Sequence, residues 1–185
     1  MRVIASLVLA AVMSAAVYDS QSARRKLEFI ERGHPAAGTR VLFTPPEING
    51  WLADEARARA PRAARNLRLE LGSGRATGYG EIDFLQLHQA TTGAAPNWLL
   101  KNLLAGERPV RVSAIFHSEN GRGRVDVERV EISGVAIEGP ALDFLIENFV
   151  RPMFPYAMVA EWFPLQYGVD HVTVSPAGVA VVMKR

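Results

Sequence analysis

The side chains that carry most enzyme chemistry are sparse in this chain and badly spaced for it. None of the 185 residues is cysteine, which removes thiolate nucleophiles, thiolate zinc sites, iron–sulfur clusters and disulfide staples together. The four histidines, His34, His88, His117 and His171, stand far apart, none has a partner at metal-ligand spacing, and HExxH is absent. The serine nucleophile elbow GxSxG is absent as well. Gly72-Ser73-Gly74-Arg75-Ala76-Thr77-Gly78 shares only its glycines with a phosphate loop. It lacks the Lys-Ser/Thr ending and lies between two strand-like runs, which makes it a hairpin turn. Glu81 and Asp83 share one strand face, as do Asp126 and Glu128. Such pairs serve glycosidases as acid and base, but on an alternating strand they mark the solvated face. The expected chemistry is binding, not catalysis, with no metal and no cofactor.

Two segments suit binding. Arg57, Arg59, Arg62, Arg65 and Arg68 form the strongest charge run. It reads either as a solvated helix end near the negative pole of the dipole or as contacts for anionic lipid head groups by Arg59, Arg62 and Arg65, each worth about 1 kcal/mol near a membrane surface. With 21 basic against 19 acidic residues the net charge is only +2, no footprint for nucleic acid. The second segment holds Phe144, Phe149, Met153, Phe154, Tyr156, Met158, Trp162, Phe163 and Tyr167, broken by Pro152, Pro155 and Pro164. Glu161 is its only charge after Arg151. An irregular Met- and aromatic-rich run fits an adaptable pocket rim or membrane-contacting loop as well as it fits core. Trp51, Leu145, Phe149, Met153, Phe154, Met158 and Trp162 are the expected lining of an apolar ligand groove.

The elements that must position these residues follow from caps and periods. Thr44-Pro45-Pro46-Glu47 is a capping box, and Ile48, Trp51, Leu52 and Ala56 continue it as an amphipathic helix that Pro61 ends. Leu67, Leu69 and Leu71 alternate with Arg68 and Glu70 as a half-buried strand. Ala76 to Phe84 returns as a second strand, where Gly78 and Gly80 signal a bulge or a close approach. A short helix is predicted over Asn97 to Ala105, stopped by Gly106. Val110 to His117 and Gly123 to Ile132 flank the hairpin signal Glu119-Asn120-Gly121. Val125 and Val127 fall out of phase with Val130 and Ile132, which predicts a bulge near Glu128-Arg129. Pro140 opens a long helix carrying Leu142, Leu145, Ile146, Phe149, Val150 and Met153 on one stripe. A hairpin across Ser175-Pro176-Ala177-Gly178 closes the chain. The class is α+β, a curved antiparallel sheet with helices gathered on one face.

Val127 to Ile137, the long helix, and Phe163-Pro164-Leu165-Gln166-Tyr167-Gly168-Val169 with its closing hairpin resemble the C-terminal half of LmeA-like phospholipid-binding envelope proteins. Phe43 to Leu52 is similar to the start of bacterial lipoproteins of the tubular-lipid-binding type. Glu138-Gly139 stands where that family has a proline, and Ala177-Gly178 where it has Asp-Gly. The resemblance implies a half-barrel sheet wrapped around a long amphipathic helix, leaving an apolar groove for acyl chains.

Ahead of the domain, Val3 to Val17 runs without a charge after Met1-Arg2 and ends in Ser14-Ala15-Ala16. That is the layout of a secretory signal peptide, and it is short of the ~20 residues that span a bilayer. Arg24, Arg25 and Lys26 just beyond it keep an uncleaved anchor as the alternative. Residues 1–22 are accordingly a signal peptide or anchor, 23–40 a charged tether and 41–185 one domain. Cleavage predicts that N-terminal sequencing of the cell-associated protein starts near Val17; an intact Met1 outside the cytoplasm means an anchor, and a cytosolic location excludes both. The expected function is non-catalytic carriage of a phospholipid or other acyl-chain ligand in the periplasm or cell envelope. The alternative is an assembly module that docks a protein partner through the aromatic segment.

Overall fold

Alternating runs build the sheets, and short-range signals fix their turns. A computed structural model describes residues 19–33, 35–59, 61–93, 105–150 and 160–185. It is α+β, with every strand pair antiparallel. The larger sheet joins β2 (Ala64–Leu71), β3 (Arg75–Asp83), β4 (Glu107–Glu119), β5 (Arg122–Ile132) and β6 (Val135–Ala136) in that order, with β7 (Phe163–Pro164) also on β5. The smaller orders β1 (Arg40–Phe43), β9 (Gly178–Met183) and β8 (Val169–Ser175). The two abut at one end, where Gly74 N donates to Val174 O at 2.9 Å, Gly121 N to Asp170 O at 2.6 Å and Val172 N to Ser118 Oγ at 2.8 Å. The large sheet ends on β2 and β6 and is not a closed barrel.

Asn120 and Gly121 take φ of 49° and 74°, the left-handed pair of a tight hairpin turn, between Glu119 and Arg122. The bulge falls where the phase shift predicts it. Ser113 faces Arg129 and Ala114 faces Val127, which leaves Glu128 as the extra residue. Glu128 then grips Arg75 with both oxygens, at 2.6 and 2.7 Å. The extra residue lets Val125, Val127, Val130 and Ile132 share one face despite their phase. Gly80 of β3 has a related origin: the register shift between Arg65 and Arg68 of β2 lies opposite it, while Gly78 pairs regularly with Leu69.

Four helices are present among the described residues. Helix α2 (Pro45–Arg59) starts on the expected capping box, with Thr44 N donating to Glu47 Oε2 at 2.8 Å. Its Asn49 amide acts as a mock strand for the edge of β2, accepting from Leu69 N at 2.7 Å and donating to Leu69 O at 3.0 Å. Helix α3 (Phe84–Thr92) corrects the strand expected to run through Phe84. Asp83 caps it, accepting from Leu85 N and Gln86 N at 3.0 Å, and Gly93 stops it at φ 69°. Helix α4 (Pro140–Leu145) passes into a π-turn over Ile146–Val150. A π-turn departs from the 3.6-residue period that the expected long helix assumes, and its continuation over 151–159 lies outside the described residues. So do most of the expected Asn97 to Ala105 helix and the whole run before residue 19.

The largest correction concerns the tether. Residues 19–32 form helix α1, packed on the domain. Ser20, Ala23 and Ile30 are buried and Leu27 packs beside them, at spacings of three and four. The stripe is small and partly polar, so it is hard to see among the charges. Its partners lie more than ten residues further along: Glu47 accepts from Ser22 Oγ at 2.5 Å and from Lys26 Nζ at 2.6 and 2.7 Å. Lys26 Nζ also bonds Leu42 O at 2.7 Å.

Two cores result. The first gathers Ala63, Phe84, Leu87, Ile132 and Phe149, with Ile82, Val110 and Leu145 against it. The second gathers Ala23, Ile30, Val41, Phe43, Val169 and Met183, with Trp51, Leu165 and Val172 against it.

Candidate functional site

Strand register sorts the large sheet into one apolar and one charged face. Across it, Leu69 faces Gly78, Gly78 faces Val112, and Val112 faces Val130. The next row runs Leu71, Ala76, Ala114, Val127, and a third aligns Ile82 with Ala64. Period two therefore puts Leu67, Leu69, Leu71, Val110, Val112, Ala114, Phe116, Val125, Val127, Val130 and Ile132 on the same side. The opposite side carries Arg68, Tyr79 and Arg111 in one row, with both guanidiniums over the Tyr79 ring at 4.8 and 5.7 Å.

Coverage of the apolar face is uneven. Val130 and Ile132 are buried, and Ile82, Val110 and Ile132 belong to the first core. Leu67, Leu69, Leu71, Val112, Ala114, Phe116, Val125 and Val127 are only half-buried, and among the described residues they belong to neither core. An apolar strip thus crosses the middle of the sheet between two packed ends. Glycine deepens it at Gly78, where an added Cβ would meet nothing closer than Leu69 Cδ1 at 3.8 Å. Gly80 is different, because Leu67 Cδ2 would lie 2.4 Å from a Cβ there. At the far end Phe116, Phe163 and Leu165 close over Gly123.

The residues expected to line a groove are dispersed. Trp51 packs on the second core, while Leu145 packs on the first. Phe149 is 4% exposed, edge-on to Phe84 with ring centroids 5.1 Å apart, so it is core rather than groove lining. Trp162 is half-buried beside β7, and Met153, Phe154 and Met158 lie outside the described residues. The expected head-group arginines do not face the apolar strip. Arg59 pairs with Glu55 at 2.8 Å, Arg65 with Glu107 at 3.0 Å on the charged face, and Arg62 is exposed beside α3. Exposed pairs of this kind contribute about 0–1 kcal/mol each, as a solvated face requires.

The strip residues sequence reasoning missed as a site are those of β2, β4 and β5. Their signal was present as alternation in three runs of the chain. Among the described residues no group of three or more His, Cys, Asp or Glu is placed to hold a metal ion. No described helix is long and apolar enough to cross a membrane. Comparison with protein-family models, with curated proteins and with solved structures finds no match for this chain.

Proposed function

We propose that the protein is a non-catalytic carrier of a phospholipid or other acyl-chain ligand, exported to the cell envelope. The observation that carries this reading is the strip of half-buried Leu, Val, Ala and Phe side chains that, among the described residues, lies outside both cores. Burying a methylene gains about 0.8 kcal/mol, and the strand from Val110 to Phe116 spans ~20 Å, room for an extended chain. In this reading the sheet is an open half-barrel of the tubular-lipid-binding kind, and the acyl chain lies across it over Gly78.

Gly78→Phe tests it. The position has ordinary backbone, and an added Cβ meets only van der Waals contacts, Leu69 Cδ1 at 3.8 Å and Val112 O at 4.0 Å, so the fold is expected to keep its circular dichroism and melting temperature. The ring then occupies the strip, and uptake of dansyl-undecanoate should weaken about tenfold or more, 1.4 kcal/mol. Unchanged uptake by Gly78→Phe, or no uptake by the unmodified protein, removes the carrier reading.

A further inference from the structure

Six arginines on the charged face of the large sheet come with acids, while Arg122 at its hairpin turn is exposed. Arg65, Arg68, Arg75, Arg111, Arg124 and Arg129 hold carboxylates at distances from 2.6 to 3.6 Å. Arg108 lies on the other face. Along β4, Glu107, Pro109 and Arg111 are exposed while Arg108, Val110 and Val112 are half-buried, so Arg108 is in phase with the apolar strip. Its partner across the ladder is Ile82, at the edge of the first core. Among the described residues no acid or carbonyl pairs with its guanidinium. The adjacent Glu107 points to the charged face and is taken by Arg65 at 3.0 Å.

Arg108 is half-buried as a residue, with a stem suited to cover the apolar surface beside it, and a cation beside apolar surface without a counter-charge is the less favourable for it. An anion on the ligand corrects this, because carboxylate and phosphate oxygens accept two parallel N–H bonds from the guanidinium fork. We propose that Arg108 is the head-group anchor of the acyl ligand, bonding the anionic oxygens of a carboxylate or phosphate while the tail runs along Val112 and Gly78. This rests on the carrier reading and makes the ligand an acidic amphiphile. It also moves the head-group role from Arg59, Arg62 and Arg65 to the apolar side of the sheet.

The test is titration of the full chain with two matched probe pairs, dansyl-undecanoate against its methyl ester, and fluorescent phosphatidic acid against diacylglycerol. The unmodified protein should prefer the acid of at least one pair by about tenfold, the size of a charge-assisted hydrogen bond. Arg108→Gln should abolish that preference, leave ester or diacylglycerol binding unchanged and keep the melting temperature. Arg108→Lys should restore part of it. The pair that shows the Arg108-dependent difference tells a free carboxylate from a lipid phosphate. Equal binding of acid and neutral probes by the unmodified protein overturns the anchor and leaves the carrier reading standing, and so does a preference that survives Arg108→Gln. Binding of no probe at all overturns both. Should Arg108→Gln fail to fold, the acid preference of the unmodified chain and of Arg108→Lys still decides.

Discussion

Phe149→Ala is expected to destabilise the domain by about 3–5 kcal/mol, the cost of emptying an aromatic site in a core. The ring is 4% exposed and meets Phe84 edge-on at 5.1 Å, within a cluster that includes Leu87 and Ile132. Its loss removes dispersion contacts on every side and leaves a cavity that the π-turn around it collapses into only partly. For a chain of this length the melting temperature should fall by about 6–20 °C. Chemical denaturation with matched m-values checks it. A cost below about 1 kcal/mol would mean the ring faces an open groove, as the sequence pattern had suggested, and not a packed core. The contrast with Gly78→Phe is informative: one change empties the core, the other fills the strip, and only the first should touch stability.

The second large effect is expected at Glu47, and it depends on pH. Glu47 is 6% exposed. Burial alone would push its carboxyl up, but hydrogen bonds from Lys26, Ser22 and the Thr44 N–H, with the Lys26 charge, hold it down at about 2. In the unfolded chain it returns to 4.5. A carboxyl depressed in the folded state stabilises fully above its unfolded value and loses that contribution as pH falls toward its folded one. The domain should therefore lose about 3 kcal/mol between pH 4.5 and pH 2 through this group. Asp54 adds in the same direction, lowered by the Ser20 hydrogen bond, against some burial, and by Arg57 and Arg24. Glu47→Gln keeps the shape but leaves Lys26 without its charge partner, at a cost of about 3 kcal/mol at neutral pH. Its denaturation curves should move much less between pH 7 and pH 2 than those of the unmodified protein. An acid dependence undiminished in Glu47→Gln would mean that the clasp between α1 and α2 contributes nothing.

What could be read from the sequence was decided within a few residues of chain. The box at Thr44 and Glu47 fixed the start of α2, Asn120-Gly121 fixed a turn, and the valine phase located Glu128 as the bulge. Each depends on backbone sterics or on caps that reach three residues at most. Even local signals compete, however. Asp83-Phe84-Leu85-Gln86 is a capping sequence, but Phe84 also continues the alternation of β3, and the strand pattern hid the helix. The alternation also determined that β2, β4 and β5 would each have one apolar side, and that Arg108 would stand on it.

Tertiary structure decided which of those apolar positions are covered. Burial is a property of what arrives from elsewhere in the chain, and no period or propensity encodes it. Phe149 and Trp51 both look like groove lining on a helical stripe, but one meets Phe84 and the other meets the second core. Residues 23–40 look like a charged tether, because the carboxylate that holds Lys26 lies 21 positions away. Only the assembled sheet shows that, among the described residues, the middle of its apolar face belongs to neither core, and that the acid beside Arg108 points to the other side. A strand has two faces and the sequence names them both. Which face stays open depends on where two distant cores close, since burial acts through the apolar area removed from water, whatever the separation in sequence.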